Sequence, residues 1–502
     1  MEARSVKQRK RANGFHEQIE VDRISHLPDS LLHHILLFLP VKTIARTSVL
    51  SKRWRSLWLS LPDLDFTSIN SLHPCSHDLR PTSRSSFSSS SIHQVLALRH
   101  RDSGLRALRL RTSITFSQLN ALIRLAITHH IQELDVEVAT NDYFNFPRRV
   151  ITSQCLRVLK LKSSYPGFRL PPSSAILGGF HKLKTLFLSL VILYNQPFLL
   201  DFFTDPSFPL LEKLNLEYCF GLKQLKVSCS QLQELTLENC FQLDGLEVSG
   251  NKLKRLKVGS CFDAYTEESW AKINAPNLRS FLWESNAVTA VNFSDNSVFL
   301  QEASVVVFML HQDVKFSQIH SLLALLSGLS HTKSLELGNQ CIEILSSKKI
   351  STHLQPFQNM RSLELRTCFN RHNVHALASL FKSCLKLKTL LLNIINEPRS
   401  ERRQWNKDLW NTSTSEVEQY WESQTEDLNP FLQNIKVVEI DGFLECENEV
   451  SLAMFLLKHG KALKRMTLRS GCLCRDSLRR QMIRSQMMGF SRASSSAKIS
   501  FH

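Results

Sequence analysis

The sequence predicts an α+β protein organised around an α/β solenoid: a three-helix unit near the N-terminus, a long stack of strand-bearing coils, and a C-terminal strand–helix–strand cap. Three observations carry this. A hexameric pattern, apolar-x-x-apolar-x-apolar, returns along most of the 502 residues. Within 211–261 its copies fall in register, 21 residues apart. Ahead of them, VDRISHLPDSLLHHILLFLPVKTIARTSVLSKRWRSLW (21–58) spaces its apolar residues for helices rather than strands.

In chain order, 1–21 is a basic tail whose KQRKR reads as a nuclear-import signal or as a solvated segment. A helix is expected after Pro28, which suits a first turn; Leu27, Leu31, Ile35 and Leu39 recur every four residues, and Leu32 and Leu36 widen the stripe. Pro40 ends it. A second helix from Val41 carries Ile44, Ala45 and Ser48, and Ser51 is a candidate N-cap for a third bearing Trp54, Leu57 and Trp58. A unit as small as 22–66 buries too little of its own surface to be comfortable alone, which points to a partner. The segment 67–92, with SRSSFSSSS, reads as a linker that leaves the helical unit free relative to the coils.

The solenoid is expected over 93–396. Hexamers begin at 105, 131, 156, 183, 211, 232, 253 and 278, and after a less regular stretch at 332, 360 and 387, with two more at 435 and 463. In a strand the fourth and sixth residues of each point inward and the intervening polar ones outward. No coil buries its apolar face alone, but stacked neighbours do. LEKLNLEYC, LQELTLENC and LKRLKVGSC align at Leu211, Leu232 and Leu253, so the hexamers at 222 and 243 belong on the return side as short extended segments. Cys219, Cys240 and Cys261 share the ninth position, and Cys368 repeats it; a thiol there is small, apolar and a weak donor to a backbone carbonyl. A stacked row lacks the convergent geometry zinc demands, so neither metal nor cofactor is expected. The polar insert 397–430 carries three tryptophans and reads as a disordered loop or a partner-binding insert. Residues 431–471 pattern as strand, turn at Asp441-Gly442, helix with Leu452, Phe455 and Leu456 inward, and strand; 472–502 is a basic tail.

Lys and Arg outnumber Asp and Glu by 62 to 45, a net +17 spread along the chain. A basic scaffold binding nucleic acid is therefore the alternative function class, disfavoured because the excess is dispersed. The N-terminus lacks a secretory apolar core, and TLFLSLVILYNQPFLL (185–200) is too short and too interrupted to span a bilayer. The 12 cysteines then read as reduced thiols of the nucleus and/or cytoplasm. No phosphate-cradling glycine loop or G-x-S-x-G occurs, and HEQIE (16–20) breaks the zinc-protease pattern at Glu20. Recognition rather than catalysis is expected.

DRISHLPDSLLHHILLFLPVKTIARTSVLSKRWRSLW resembles an F-box of the plant-type F-box proteins with leucine-rich repeats, and the hexamers resemble those repeats. The resemblance implies docking on the Skp adaptor of a Skp, cullin and F-box ubiquitin ligase, with Leu27, Pro28, Leu31, Ile35, Leu36, Leu39, Pro40, Val41, Val49, Leu50, Trp54 and Trp58 divided between adaptor contact and internal packing. Leu27-Pro28 and Val49-Leu50 are favoured for contact, Trp54 with Leu57 for packing. It also implies a non-catalytic receptor that presents a protein target while the cullin core supplies the transfer chemistry. NIKVVEIDGFLECENEVSLAMFLLKHGKALKRMTLRSG (434–471) resembles the FBD module of that family, read here as a cap on the open end of the solenoid in preference to a substrate site.

Strand alternation places Lys213, Asn215 and Glu217, then Glu234, Thr236 and Glu238, then Arg255 and Lys257 outward on adjacent coils. With Ser362, Glu364 and Arg366 further along, they form the expected mixed-charge target face.

Overall fold

The structure is a computed structural model describing residues 23–24, 26–68, 89–99, 103–139, 144–164, 167–193, 199–265, 269–294, 299–309, 314–347, 354–395, 416–443, 447–470 and 478–502. KQRKR, HEQIE, most of the serine-rich linker, Trp405, Trp410, Cys472 and Cys474 lie outside the described residues. Among the described residues, sixteen strands form one sheet from Asp63–Asp65 to Lys498–Phe501, every pairing parallel. Lys213–Glu217, Glu234–Glu238 and Arg255–Gly259 pair without a shift: Leu214 faces Leu235 and then Leu256, and Leu216 faces Leu237 and then Val258. All six are buried.

Coil length decides what returns on the far side. A helix needs 13 residues, as in Phe116–Thr128, Phe316–Gly328 and Glu447–His459, to cover about 20 Å. A strand covers about 17 Å with 5 residues, as in Gln224–Ser228 and Gly245–Ser249. Coils 21 residues apart have room only for the strand, and there a second parallel sheet of five strands runs from Leu199–Thr204 to Ala290–Phe293. The hexamers at 222 and 243 are its members, as their spacing required. The core lies between the two layers, Leu225, Val227, Leu246 and Val248 on one side and the paired leucines on the other.

Chain reversal after the main strands repeats as regularly as the strands. Leu190, Tyr218, Asn239, Ser260 and Ser285 all have positive φ, between 51° and 63°. The backbone N–H of the first four donates to the next coil, to Glu217, Glu238, Gly259 and Glu284 carbonyls at 2.9–3.0 Å. The left-handed turn costs about 1 kcal/mol per residue, and the ladder bond it completes offsets that cost. At Gly442, with φ +77°, the turn needs glycine outright: a Cβ would stand 2.5 Å from the Ile394 carbonyl oxygen.

The N-terminal unit has three helices, α1 (Asp29–Leu36), α2 (Val41–Thr47) and α3 (Lys52–Ser60). Pro28 is the N-cap of α1 rather than part of its first turn. The Ser51 side chain accepts the Trp54 N–H at 3.2 Å, as a cap should.

Five expectations are corrected. The helical unit is not loosely linked: Asp63–Asp65 pairs with 107–109, and the Phe66 N–H donates to Arg109 O at 2.8 Å. Leu61, Leu64 and Phe66 are fully buried in the core shared with the coils, and the chain leaving α3 becomes the first strand of the sheet. The end of the serine run opens a helix, Ser89–Ala97, with Ile92 and Leu96 buried. The polar insert is folded in its second half, Glu416–Ser423 and Asn429–Asn434, because Trp421 is fully buried between Phe381 and Phe455, ring centroids 6.1 and 5.6 Å away.

The 431–471 module does not terminate the stack. Its strands Val437–Phe443 and Arg465–Ser470 are ordinary members of the sheet, and its helix buries Leu452, Phe455 and Leu456. The supposed basic tail supplies the edge instead: helix Leu478–Gly489 buries Met487, and Lys498–Phe501 pairs with Arg465–Ser470. Within it, Arg484 is half-buried, its guanidinium 5.3 Å from the Phe501 ring centroid.

At a bulge after Glu284 the ladder shifts register, and Asn286 repairs it while fully buried. Its Oδ1 accepts the N–H groups of Cys261 (2.9 Å) and Phe262 (3.2 Å), and its Nδ2 donates to Val258 O (2.8 Å). Asn286→Leu should lower stability by about 2–5 kcal/mol, because it orphans three buried backbone groups. The denaturation midpoint checks this; an unchanged midpoint contradicts it.

Candidate interaction surfaces

The helical unit is held together by polar bonds between its first and third helices. Arg53 spans from α3 to Asp29 (Nε donates to Oδ1 at 2.9 Å) and to the Leu27 carbonyl; His33 Nε2 lies 3.2 Å from Leu57 O and 3.0 Å from Ser60 Oγ. This fixes which side of each helix faces in. Leu32, Leu36, Val41, Ile44, Leu57 and Trp58 are buried, with Leu27, Ala45 and Trp54 partly buried against them.

That division sorts the predicted residues. Leu36, Val41 and Trp58 pack inside and have almost no surface to offer. Pro28, Leu31, Ile35, Leu39, Pro40, Val49 and Leu50 are exposed, Val49 at 86% and Leu50 at 70%. The four-residue stripe is thus two stripes: Leu32 and Leu36 turn inward, Leu31 and Ile35 outward. Ile24, Leu37 and Phe38 (78% exposed) join the outer set and were not singled out from sequence. The signal was the run LLFLP, more apolar than one buried helix face can use. Exposed apolar side chains concentrated on one small unit mark an interaction surface, since singly scattered ones are ordinary.

The outward face of the main sheet is a lattice of ion pairs between coils. Lys213 and Arg255 approach Glu234 from either side at 2.8 and 3.4 Å, following the register Lys213, Glu234, Arg255. Lys257 lies 2.6 Å from Glu238 and 3.9 Å from Glu284; the Glu238 hydrogen bond raises the lysine pKa. Burial raises the Glu217 carboxyl above the ordinary range, with Lys162 opposing. Thr236 and Asn215 share the central line, and Asn215 Oδ1 is buried without a hydrogen-bond partner. Further along, Arg366 pairs with Glu336 and lies 3.9 Å from Glu364, whose Oε1 accepts from Asn393 Nδ2 at 2.7 Å; Ser362 is half-buried beside them.

The predicted residues of 213–257 therefore form one surface, and 362–366 lie four strands on from Arg255–Gly259 in the same sheet. Lys162, Phe187, Glu284 and Glu336 complete the face and were missed; Lys162 Nζ sits 4.6 Å over the Phe187 ring. The periodic cysteines lie behind it as structural groups: Cys240 Sγ donates to Leu216 O and Glu238 O at 3.5 Å, and Cys261 Sγ to Gly259 O at 3.2 Å.

No helix among the described residues is long and apolar enough to cross a membrane. The chain matches the F-box domain family over residues 24–66 and the At1g61320/AtMIF1 LRR domain family over 96–264 and 229–497. It is 64% identical to the F-box/FBD/LRR-repeat protein At4g03220 of Arabidopsis thaliana, over the full length of both chains. It is also 32% identical to F-box/LRR-repeat protein 25 of Arabidopsis thaliana, across 42% of this chain and 72% of that one. A third relative, the F-box/LRR-repeat protein At3g18150 of the same plant, is 24% identical over 89% of this chain and 86% of its own. Exposed helical unit, coil stack and full-length likeness agree: the chain belongs to the F-box/FBD/LRR-repeat family.

Proposed function

We propose that this chain is the substrate-recognition subunit of a Skp-cullin-F-box ubiquitin ligase: its F-box docks on a Skp adaptor and the outward face of its main sheet captures a protein target for ubiquitination. The observation that carries the reading is the outward apolar set on an otherwise well-packed helical unit, Leu31, Ile35, Phe38, Leu39, Val49 and Leu50. Burying one leucine-sized side chain contributes about 1.5–3 kcal/mol, so several anchors outweigh the cost of association. Leu27, Pro28 and Trp54 belong to the same contact at its edge. The chain itself transfers nothing; it sets where the target sits relative to the adaptor.

Docking and folding separate by residue. Val49→Asp with Leu50→Asp should weaken binding of a purified Skp adaptor by about 100-fold or more and leave the melting transition in place. Trp58→Ala should instead cost about 3–5 kcal/mol of stability. Calorimetric titration against the adaptor reads the first and thermal unfolding the second; equal adaptor binding by the double variant and the native chain would remove the reading.

Target capture is proposed for the face carrying Lys213, Asn215, Glu217, Glu234, Thr236, Glu238, Arg255, Lys257, Ser362, Glu364 and Arg366. A trap form should end its deletion at Ser60, because Leu61, Leu64 and Phe66 belong to the solenoid core. Glu234→Lys with Glu238→Lys should reduce the proteins recovered on that trap, as counted by mass spectrometry; unaltered recovery contradicts the assignment. Nucleic-acid binding is the alternative, and it would fall steeply with added salt where an apolar adaptor contact would not.

A further inference from the structure

Part of the net charge of +17 is gathered in a way that the linear sequence conceals. The second residue of each hexamer precedes the strand and lies on one rim of the main sheet. From the seventh coil onward these residues are Lys254, Arg279, Gln301, Lys333, Arg361, Lys388, Lys436 and Lys464. They are true neighbours: Arg279 N donates to Lys254 O, Gln301 N to Arg279 O, Lys333 N to Gln301 O, Arg361 N to Lys333 O, Lys388 N to Arg361 O, Lys436 N to Lys388 O and Lys464 N to Lys436 O, all at 2.7–3.0 Å. With strands about 4.8 Å apart the row is about 35 Å long.

Seven of the eight positions are cations, none is an acid, and all but half-buried Lys436 are exposed. Elsewhere on the sheet face, cations such as Lys213, Arg255, Lys257 and Arg366 are paired across strands. On the rim, Arg279, Lys333, Arg361, Lys388, Lys436 and Lys464 make no ion pair among the described residues; Lys254 Nζ donates only to Gln233 Oε1, at 3.2 Å. The next line inward runs Arg255, Ser280, Glu302, Ser334, Ser362, Thr389, Val437 and Arg465, four hydroxyls with a single acid. Unneutralised like charges at this spacing repel one another, a cost that a purely structural rim avoids by alternating signs as the sheet face does.

We propose that this rim docks an extended, Asp/Glu-rich segment of the protein target. Carboxylates meet the cations, and the adjoining Ser334, Ser362 and Thr389 hydroxyls donate to the same groups. The row is one residue wide and contains no aromatic ring, so it lacks the stacking platform that holds single-stranded nucleic acid. Naming the segment as part of the target rests on the receptor reading above; the chemistry of the rim does not.

The test is fluorescence anisotropy on the full chain with a labelled peptide of alternating Glu and Ser, its Gln-Ser twin, and a poly-uridine strand of similar length. The Glu peptide should bind and its Gln twin should not. Combining Lys333→Glu, Arg361→Glu and Lys388→Glu should weaken Glu-peptide binding by at least about tenfold. The charge-matched control, Arg124→Glu, Arg148→Glu and Arg149→Glu at exposed positions on the return side, should leave it within about twofold. No binding by the native chain, equal loss in both variants, or tighter binding of poly-uridine than of the peptide overturns the proposal. Adaptor titration of the same proteins keeps the readings apart: the rim variant should bind the adaptor as the native chain does, and a native chain that takes the peptide but not the adaptor would overturn the receptor reading while sustaining the rim.

Discussion

Everything in this molecule depends on one interaction repeated: the parallel backbone hydrogen bond between a coil and the next. A single coil has an apolar strand on one side, a return segment on the other and open faces above and below. It is stable only where another coil closes each face. Parallel ladders are a little weaker per residue than antiparallel ones, so the stack relies on the leucine columns behind the ladder as well. Asn286 and the left-handed turns show how strictly continuity is kept: where sequence would break the ladder, a buried amide or a strained residue restores it.

That constraint reaches into function. The strand Asp63–Asp65 begins the ladder directly after the third F-box helix, so the F-box with its exposed apolar residues shares one continuous core with the charged sheet. In the proposed ligase a target held on the sheet is then held at a set position from the adaptor. At the other edge of the sheet among the described residues, Lys498–Phe501 is a short strand led by a lysine, a device that discourages further strand addition.

Much of this was legible beforehand because the repeat advertises itself. Leu211, Leu232 and Leu253 with their ninth-position cysteines fixed the register and forced alternate hexamers onto the return side. The residues that escaped did so for physical reasons. Glu302–Phe308 is a main-sheet strand whose inward residues are Ala303, Val305 and Val307, without the leucines of the pattern. Asp63–Asp65 is too short to carry a period. The return helix Leu478–Gly489 hides its inward Met487 among arginines. Of the F-box, the apolar positions were readable but their division was not, since Leu31 and Leu32 differ only in which way the helix is turned. The basic rim was invisible because each hexamer places at most one cation on it, and only stacking brings them together.

The most direct measurement of the continuous ladder is amide hydrogen exchange on the native chain, comparing Leu64 to Phe66 with the neighbouring strands Ala107–Ser113 and Glu133–Ala139. If the F-box is built into the sheet, the amides of Leu64 and Phe66 are protected to the same degree as those of Leu108 and Leu134. Exchange of 63–66 at the rate of an unstructured peptide, with 107–139 still protected, would mean that the helical unit swings free and that the target face is not held at a set position from the docking surface.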